Sequence, residues 1–146
     1  MVAAMSEIQT GSCNCGAVAF EVTGDLRDVI ACHCSICRRQ TGHFAAFTAA
    51  WNEDFHLIRH DGLKWYRSSA ETERGFCGEC GAVMFFRRDG AERISIAAGA
   101  FDGAIGLELK AHIFVDDKGD YYEIDGAGME VCAAYDHHIQ MPARKA

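Results

Sequence analysis

Proline is nearly missing from this 146-residue chain, where Pro142 is the only one, and no repeat or low-complexity linker divides it. With 49% hydrophobic and 24% charged residues, the composition is that of a packed globular domain. Disorder, collagen-like repeats and a coiled coil are excluded as the main architecture. Long hydrophobic runs are missing too. The longest uncharged apolar stretch, Phe44 to Trp51, is far short of the ~20 residues that a membrane span needs. The first residues, MVAAMSEIQTG, have neither a basic n-region nor an apolar h-region. No secretory export and a cytoplasmic location are therefore expected. Excess positive charge is lacking as well: the net charge is -7 and the pI ≈ 5.4. A phosphate-binding surface must be basic, so nucleic acid and anionic lipid are not expected partners.

What the chain does have is cysteine. Eight occur, at 13, 15, 32, 34, 37, 77, 80 and 132. In a reducing compartment such clusters more often bind metal than form disulfides. Seven of them fall into Cys-x-Cys, Cys-x-Cys-x-x-Cys and Cys-x-x-Cys groups, and only Cys132 stands apart. Bunched cysteines would close trivial loops and gain little from disulfides.

The pattern along the chain is of short strands between turn signals. Val18, Phe20 and Val22 alternate with Ala19 and Glu21 and stop at Gly24-Asp25. Val29 to Cys32, Phe44 to Trp51, Phe55 to Arg59 and Leu63 to Arg67 also read as strands. Ala82 to Arg87 and Ile94 to Ala98, around Asp89-Gly90, form the clearest hairpin. Leu107 to Val115 and Tyr121 to Ile124 are expected to pair. Only Ile36 to Thr41 and the turn around Met129 to Tyr135 have helical character. Fifteen glycines suit the tight turns of a mainly β fold.

A thin core of short strands gains from structural metal. Cys77-Gly78-Glu79-Cys80-Gly81 is a zinc-knuckle pattern, and with Cys13-Asn14-Cys15 it supplies four thiolates, enough for a closed tetrahedral site. Cys32-His33-Cys34-Ser35-Ile36-Cys37 offers three thiols within six residues. Three protein ligands with an open fourth position is the arrangement of a catalytic zinc. The alternative is a closed site completed by Cys132, His33 or His43. Soft thiolates favour zinc over magnesium or calcium. Arg38 or Arg39 suits a substrate carboxylate or offsets thiolate charge. His33 and His43 read as proton shuttles or as hydrogen-bonded supporting residues, His112 as structural, and His137 and His138 as solvated. Phe44, Phe47, Trp51, Phe85 and Phe86 are core residues before they are a substrate wall.

The segments GSCNCGAV (11–18), ACHCSICRRQTG (31–42), YRSSAETERGFCGECGAVMFF (66–86) and AHIFVDDKGDYYEI (111–124) resemble the glutathione-dependent formaldehyde-activating enzyme family, which includes the centromere-protein-V-like proteins. The resemblance implies a mainly β, zinc-stabilised β-tent fold of short antiparallel strands and two Zn2+ per chain. Carried over by motif position, Cys13, Cys15, Cys77 and Cys80 would hold a structural zinc. Cys32, Cys34 and Cys37 would hold a second at the active site, with Arg38 near a substrate carboxylate. Residues 1–10 then read as an N-terminal extension, 11–135 as the zinc domain and 136–146 as a C-terminal tail. The implied activity is that of a carbon–sulfur lyase on a thiol–aldehyde adduct, with a small thiol such as glutathione as partner. The competing reading is a zinc-stabilised binding or scaffold domain without catalysis, although a chromatin-associated scaffold would favour added positive charge.

Overall fold

The computed structural model describes residues 8–144. It is mainly β, as expected: eleven short strands, one helix and three single turns of 3-10 helix. β1 (Gln9–Ser12), β2 (Ala19–Val22) and β5 (Phe55–Arg59) make a three-stranded antiparallel sheet. β1 starts within the segment read as an N-terminal extension, whose first seven residues lie outside the described ones. The larger sheet has the order β11-β10-β3-β4-β9-β8-β7-β6. Its members are β3 (Val29–Cys32), β4 (Ala45–Trp51), β6 (Leu63–Arg67), β7 (Thr72–Cys77), β8 (Val83–Arg88), β9 (Arg93–Ala97), β10 (Leu109–Ile113) and β11 (Glu130–Val131).

The alternation in β2 turns Phe20 and Val22 inward between the two sheets. Phe20 meets Phe55, Phe85 and Phe101 with ring centroids 5.8, 5.5 and 5.2 Å apart. Phe20 and Phe85, fully buried, contribute about 1.5–3 kcal/mol each. Phe47 and Phe85 are buried, as expected of core residues, while Phe44, Trp51 and Phe86 are half-buried. A smaller buried cluster lies beside α1 (Ser35–Thr41), where Cys37 packs with Ala45 and Phe47.

The expected β8–β9 hairpin is present, with Phe85 opposite Ile96 and Gly90 in a left-handed conformation in its turn. Four features differ from the sequence reading. β10 runs parallel to both β3 and β11, so not every pairing is antiparallel. Tyr121 to Ile124 forms no strand, because both edges of β10 are already taken by β3 and β11. That segment is held by side chains instead: the Tyr121 hydroxyl donates to the Gly42 carbonyl at 2.9 Å. Met129 to Tyr135 is not helical; Glu130 and Val131 extend the sheet as β11. β7 has no counterpart among the expected strands. Its Glu73, Arg74 and Gly75 break the apolar pattern, yet it pairs along its length with β6 and β8. A Cβ at Gly75 would come within 3.0–3.1 Å of Phe85 and Trp65, so these rings would have to shift to admit a larger residue.

The C-terminal residues lie against the large sheet. Trp51 donates its indole N–H to the Pro142 carbonyl at 3.0 Å, and the Arg144 guanidinium sits 4.1 Å from the Trp51 ring centre.

Candidate metal centres

Two groups of cysteine sulfurs come together, and within each group all sulfurs lie within 4.8 Å of one another. None of the eight cysteines is in a disulfide.

The first group joins two loops distant in sequence. Cys13 and Cys15 lie between β1 and β2, Cys77 ends β7, and Cys80 lies in the turn to β8. Backbone bonds fix both loops: the Cys13 amide donates to the Val18 carbonyl at 2.9 Å, and the Gly81 amide to the Cys77 carbonyl at 2.8 Å. Gly81 has φ 81°, which its missing Cβ permits. Further amides point at sulfur, from Val18 to Cys13 Sγ at 3.3 Å and from Cys80 to Cys77 Sγ at 3.4 Å. Cys15 Sγ is 3.7 Å from both Cys13 Sγ and Cys77 Sγ. A tetrahedron with metal–sulfur bonds of ~2.3 Å has edges of ~3.8 Å, so this spacing fits a four-thiolate metal site. The Cys80 thiol is brought down to about 6, first by the Ala82 amide.

The second group is local. Cys32 ends β3, Cys34 caps α1, and Cys37 lies in the helix's first turn. The helix forms here because Cys34 Sγ accepts the Cys37 amide at 3.4 Å, and because Gly42, with φ 78°, closes the other end. Hydrogen bonds from Cys32 and Cys37 hold the Cys34 thiol down to about 2. The same contacts, with burial, drive the Cys32 thiol well above its ordinary value. Three sulfurs this close resist ionising together, which a bound cation would relieve. Soft donors in this number fit zinc.

The candidates for a fourth ligand are placed elsewhere. His33 is buried, with Nδ1 against the Tyr122 hydroxyl and Nε2 2.9 Å from His112 Nδ1. Burial, then the neighbouring charges of His112, His43 and Lys118, push it down to about 4. His112 is buried beside it, and His43 is exposed, 4.4 Å from the Tyr122 ring centre. Cys132 packs with Ile30, Ala111 and Ile113. Among the described residues none of these joins the three sulfurs. His138 is exposed, as expected of a solvated residue, but His137 is half-buried, because its ring packs on Tyr135 at 4.8 Å and its Nδ1 accepts the Ile139 amide.

Arg38 is half-buried and donates from Nε to the Asp117 carbonyl at 3.3 Å, whereas Arg39 is exposed. The sequence reading missed Arg74. Its side chain is only 8% exposed, and Nη1 donates to Cys37 Sγ at 3.3 Å while Nε donates to Ser68 Oγ at 3.3 Å. The available signal was period two: Thr72 and Arg74 share the inward face of β7.

A mainly β scaffold bringing seven cysteines into a set of four and a set of three is the class of protein that fold and site define. A family model described as glutathione-dependent formaldehyde-activating enzyme matches residues 8–117, and the chain belongs to that family. The match includes both cysteine groups and excludes Cys132. Among curated relatives, a Schizosaccharomyces pombe protein named uncharacterized lyase C29B12.13 is 29% identical over 115 residues, 77% of this chain and 82% of that one. A Halomonas elongata protein, named as a glutathione-dependent formaldehyde-activating enzyme by assignment, is 28% identical over 134 residues, 85% of each chain. A Rhodobacter sphaeroides protein of known crystal structure has 29% identity and a TM-score of 0.55, covering 68% of this chain and 97% of that one.

Proposed function

We propose that the protein is a zinc-dependent enzyme acting on a thiol–aldehyde adduct of the glutathione–formaldehyde kind, in a carbon–sulfur lyase-type reaction. In this reading Cys13, Cys15, Cys77 and Cys80 hold a structural zinc, and Cys32, Cys34 and Cys37 hold a second zinc at the active site. The observation that carries it is the difference in donor number: four sulfurs in one group, three in the other. A closed set suits structure, and a set with room for one more ligand suits chemistry.

A zinc ion in the second group would supply Lewis acidity that lowers the pKa of a thiol at its open position. The rest falls to this chain's own residues. The cap of α1 fixes Cys34 relative to Cys37, and Arg74 holds Cys37 Sγ from β7, so the three donors keep their spacing as a ligand arrives. Arg38, on the same helix, is the residue assigned to a substrate carboxylate; only its Nε is engaged by a described residue. The family name supports a thiol partner, and the net charge of -7 speaks against nucleic acid. The reading includes a cytoplasmic location, where glutathione is reduced; no helix among the described residues is long and apolar enough to cross a membrane.

Cobalt substitution tests the reading. Adding glutathione or a simple thiol is expected to change the thiolate-to-metal absorption, and Cys34→Ala to remove that response. A second site indifferent to thiols in fully metallated protein would overturn the enzyme reading and leave a zinc-stabilised scaffold. A response without turnover of formaldehyde–glutathione adducts would retain the chemistry and change only the substrate.

A further inference from the structure

Beside the second cysteine group lies a cleft of ≈330 Å³, lined by Gln40, Tyr66, Arg74, Phe76 and Val83 among others. That volume is at the lower end for small-molecule sites. Three of these residues tie it to the cysteines. Gln40 is three residues after Cys37 on α1, so both share a face. Val83 packs against the cluster containing Cys37. Arg74 lines the cleft and donates to Cys37 Sγ.

Arg74 is more than nine-tenths buried and forms no ion pair with a carboxylate of the described residues. Its Nη1 and Nε are engaged by Cys37 and Ser68. Its Nη2 has no hydrogen-bond partner among the described residues, yet is not sealed from solvent. No acidic residue lines this cleft, in a chain of net charge -7. A second cleft of ≈510 Å³ lacks this character, since its Arg87 already faces Glu73.

We infer that the cleft between α1 and the β7–β8 pair is a carboxylate-binding subsite, in which Arg74 Nη2 and the Gln40 side-chain amide donate to the anion while Phe76 and Val83 flank its aliphatic part. Resting on the proposed thiol chemistry, this makes the substrate an acidic thiol, with its sulfur toward the three cysteines and its carboxylate in the cleft. The subsite is separate from Arg38, whose Nε is turned to Asp117. A carboxylate gains from a buried guanidinium with a free N–H because charge-assisted hydrogen bonds are the stronger kind.

The test titrates cobalt-substituted protein with 3-mercaptopropionate and with neutral 2-mercaptoethanol, and follows propionate binding by calorimetry. The acidic thiol is expected to bind about tenfold more tightly than the neutral one. Gln40→Glu puts a carboxylate into the cleft at a half-buried helix position, so it should abolish that preference and propionate binding, while 2-mercaptoethanol still alters the cobalt spectrum and so reports that the second metal is in place. Gln40→Leu should reduce the preference about fivefold. Arg74→Lys tests the guanidinium itself, and the Gln40 variants decide the matter if it fails to fold. Equal binding of the two thiols by the parent protein, or a preference that survives Gln40→Glu, overturns the subsite while the enzyme reading stands. If no thiol alters the cobalt spectrum but propionate binds and Gln40→Glu abolishes it, the subsite stands and the thiol chemistry falls.

Discussion

The two cysteine groups use the same donor atoms for different ends of the structural problem. In the first, Cys15 and Cys77 lie 62 residues apart in sequence and meet at 3.7 Å. Closing so long a loop is entropically costly, and the staple that holds it closed acts on the whole domain. In the second, Cys32, Cys34 and Cys37 are neighbours, and β3 and α1 already place them by backbone bonds. A metal there closes almost no chain. In the proposed reading, this is why the long-range donors of the first group serve structure and the local donors of the second leave metal-binding energy available for a ligand.

The contrast is broken most directly at Cys80. Cys80→Ser or Cys77→Ser should unfold the domain or abolish soluble expression, since structural zinc in small modules contributes apparent free energies of about 10–16 kcal/mol. Circular dichroism and metal content of the purified variant are the readouts. A Cys80→Ser protein that melts like the parent would show that the first group does not staple the fold.

Acid and chelator should separate the groups next. Thiols must lose their protons to bind metal, so the metal-free state holds more protons and affinity rises with pH. As pH falls, metal should leave the second group first, because it has one protein donor fewer. Metal-to-chain ratios in a chelator series at decreasing pH should pass through one before reaching zero, with the β signal retained at one. Simultaneous loss of both would remove the distinction.

A smaller effect is expected from Cys34. Its sulfur is both a proposed metal ligand of the second group and the cap of α1. Cys34→Ala should lose the second metal and cost about 1 kcal/mol in stability through the missing cap. Cys34→Ser should recover much of that stability, since a hydroxyl also caps, without recovering the metal. Thermal melts alongside metal analysis distinguish cap from ligand.

Several strands were legible before the structure: β2 by its alternation, and β3, β5 and β6 as short runs between turn signals. So were the two cysteine groups, because ligand spacing is local chemistry. What failed depended on partners rather than on pattern. Tyr121 to Ile124 looks like a strand but finds no free edge, and Glu130 and Val131 look helical but are recruited by β10. β7 was hidden because Arg74, buried against a sulfur, reads as solvent-facing in a linear pattern. The arginine that ties the second cysteine group to its cleft could be placed only once the register of β7 was known.

The mildest change tests whether the second group is truly open. Cys132 lies half-buried against Ile30, Ala111 and Ile113, its amide donating to the His112 carbonyl at 2.8 Å, and its sulfur joins neither cysteine group. Burial is the first cause that pushes its thiol above the ordinary value. Cys132→Ser keeps the volume nearly unchanged and sets a hydroxyl against apolar side chains, a cost of about 1 kcal/mol. For a domain of this size that lowers the melting temperature by about 3 °C. The metal-to-chain ratio and the thiol response of the cobalt protein should not change. If the variant instead lost one metal, Cys132 would be the missing fourth donor, and both groups would be closed and structural.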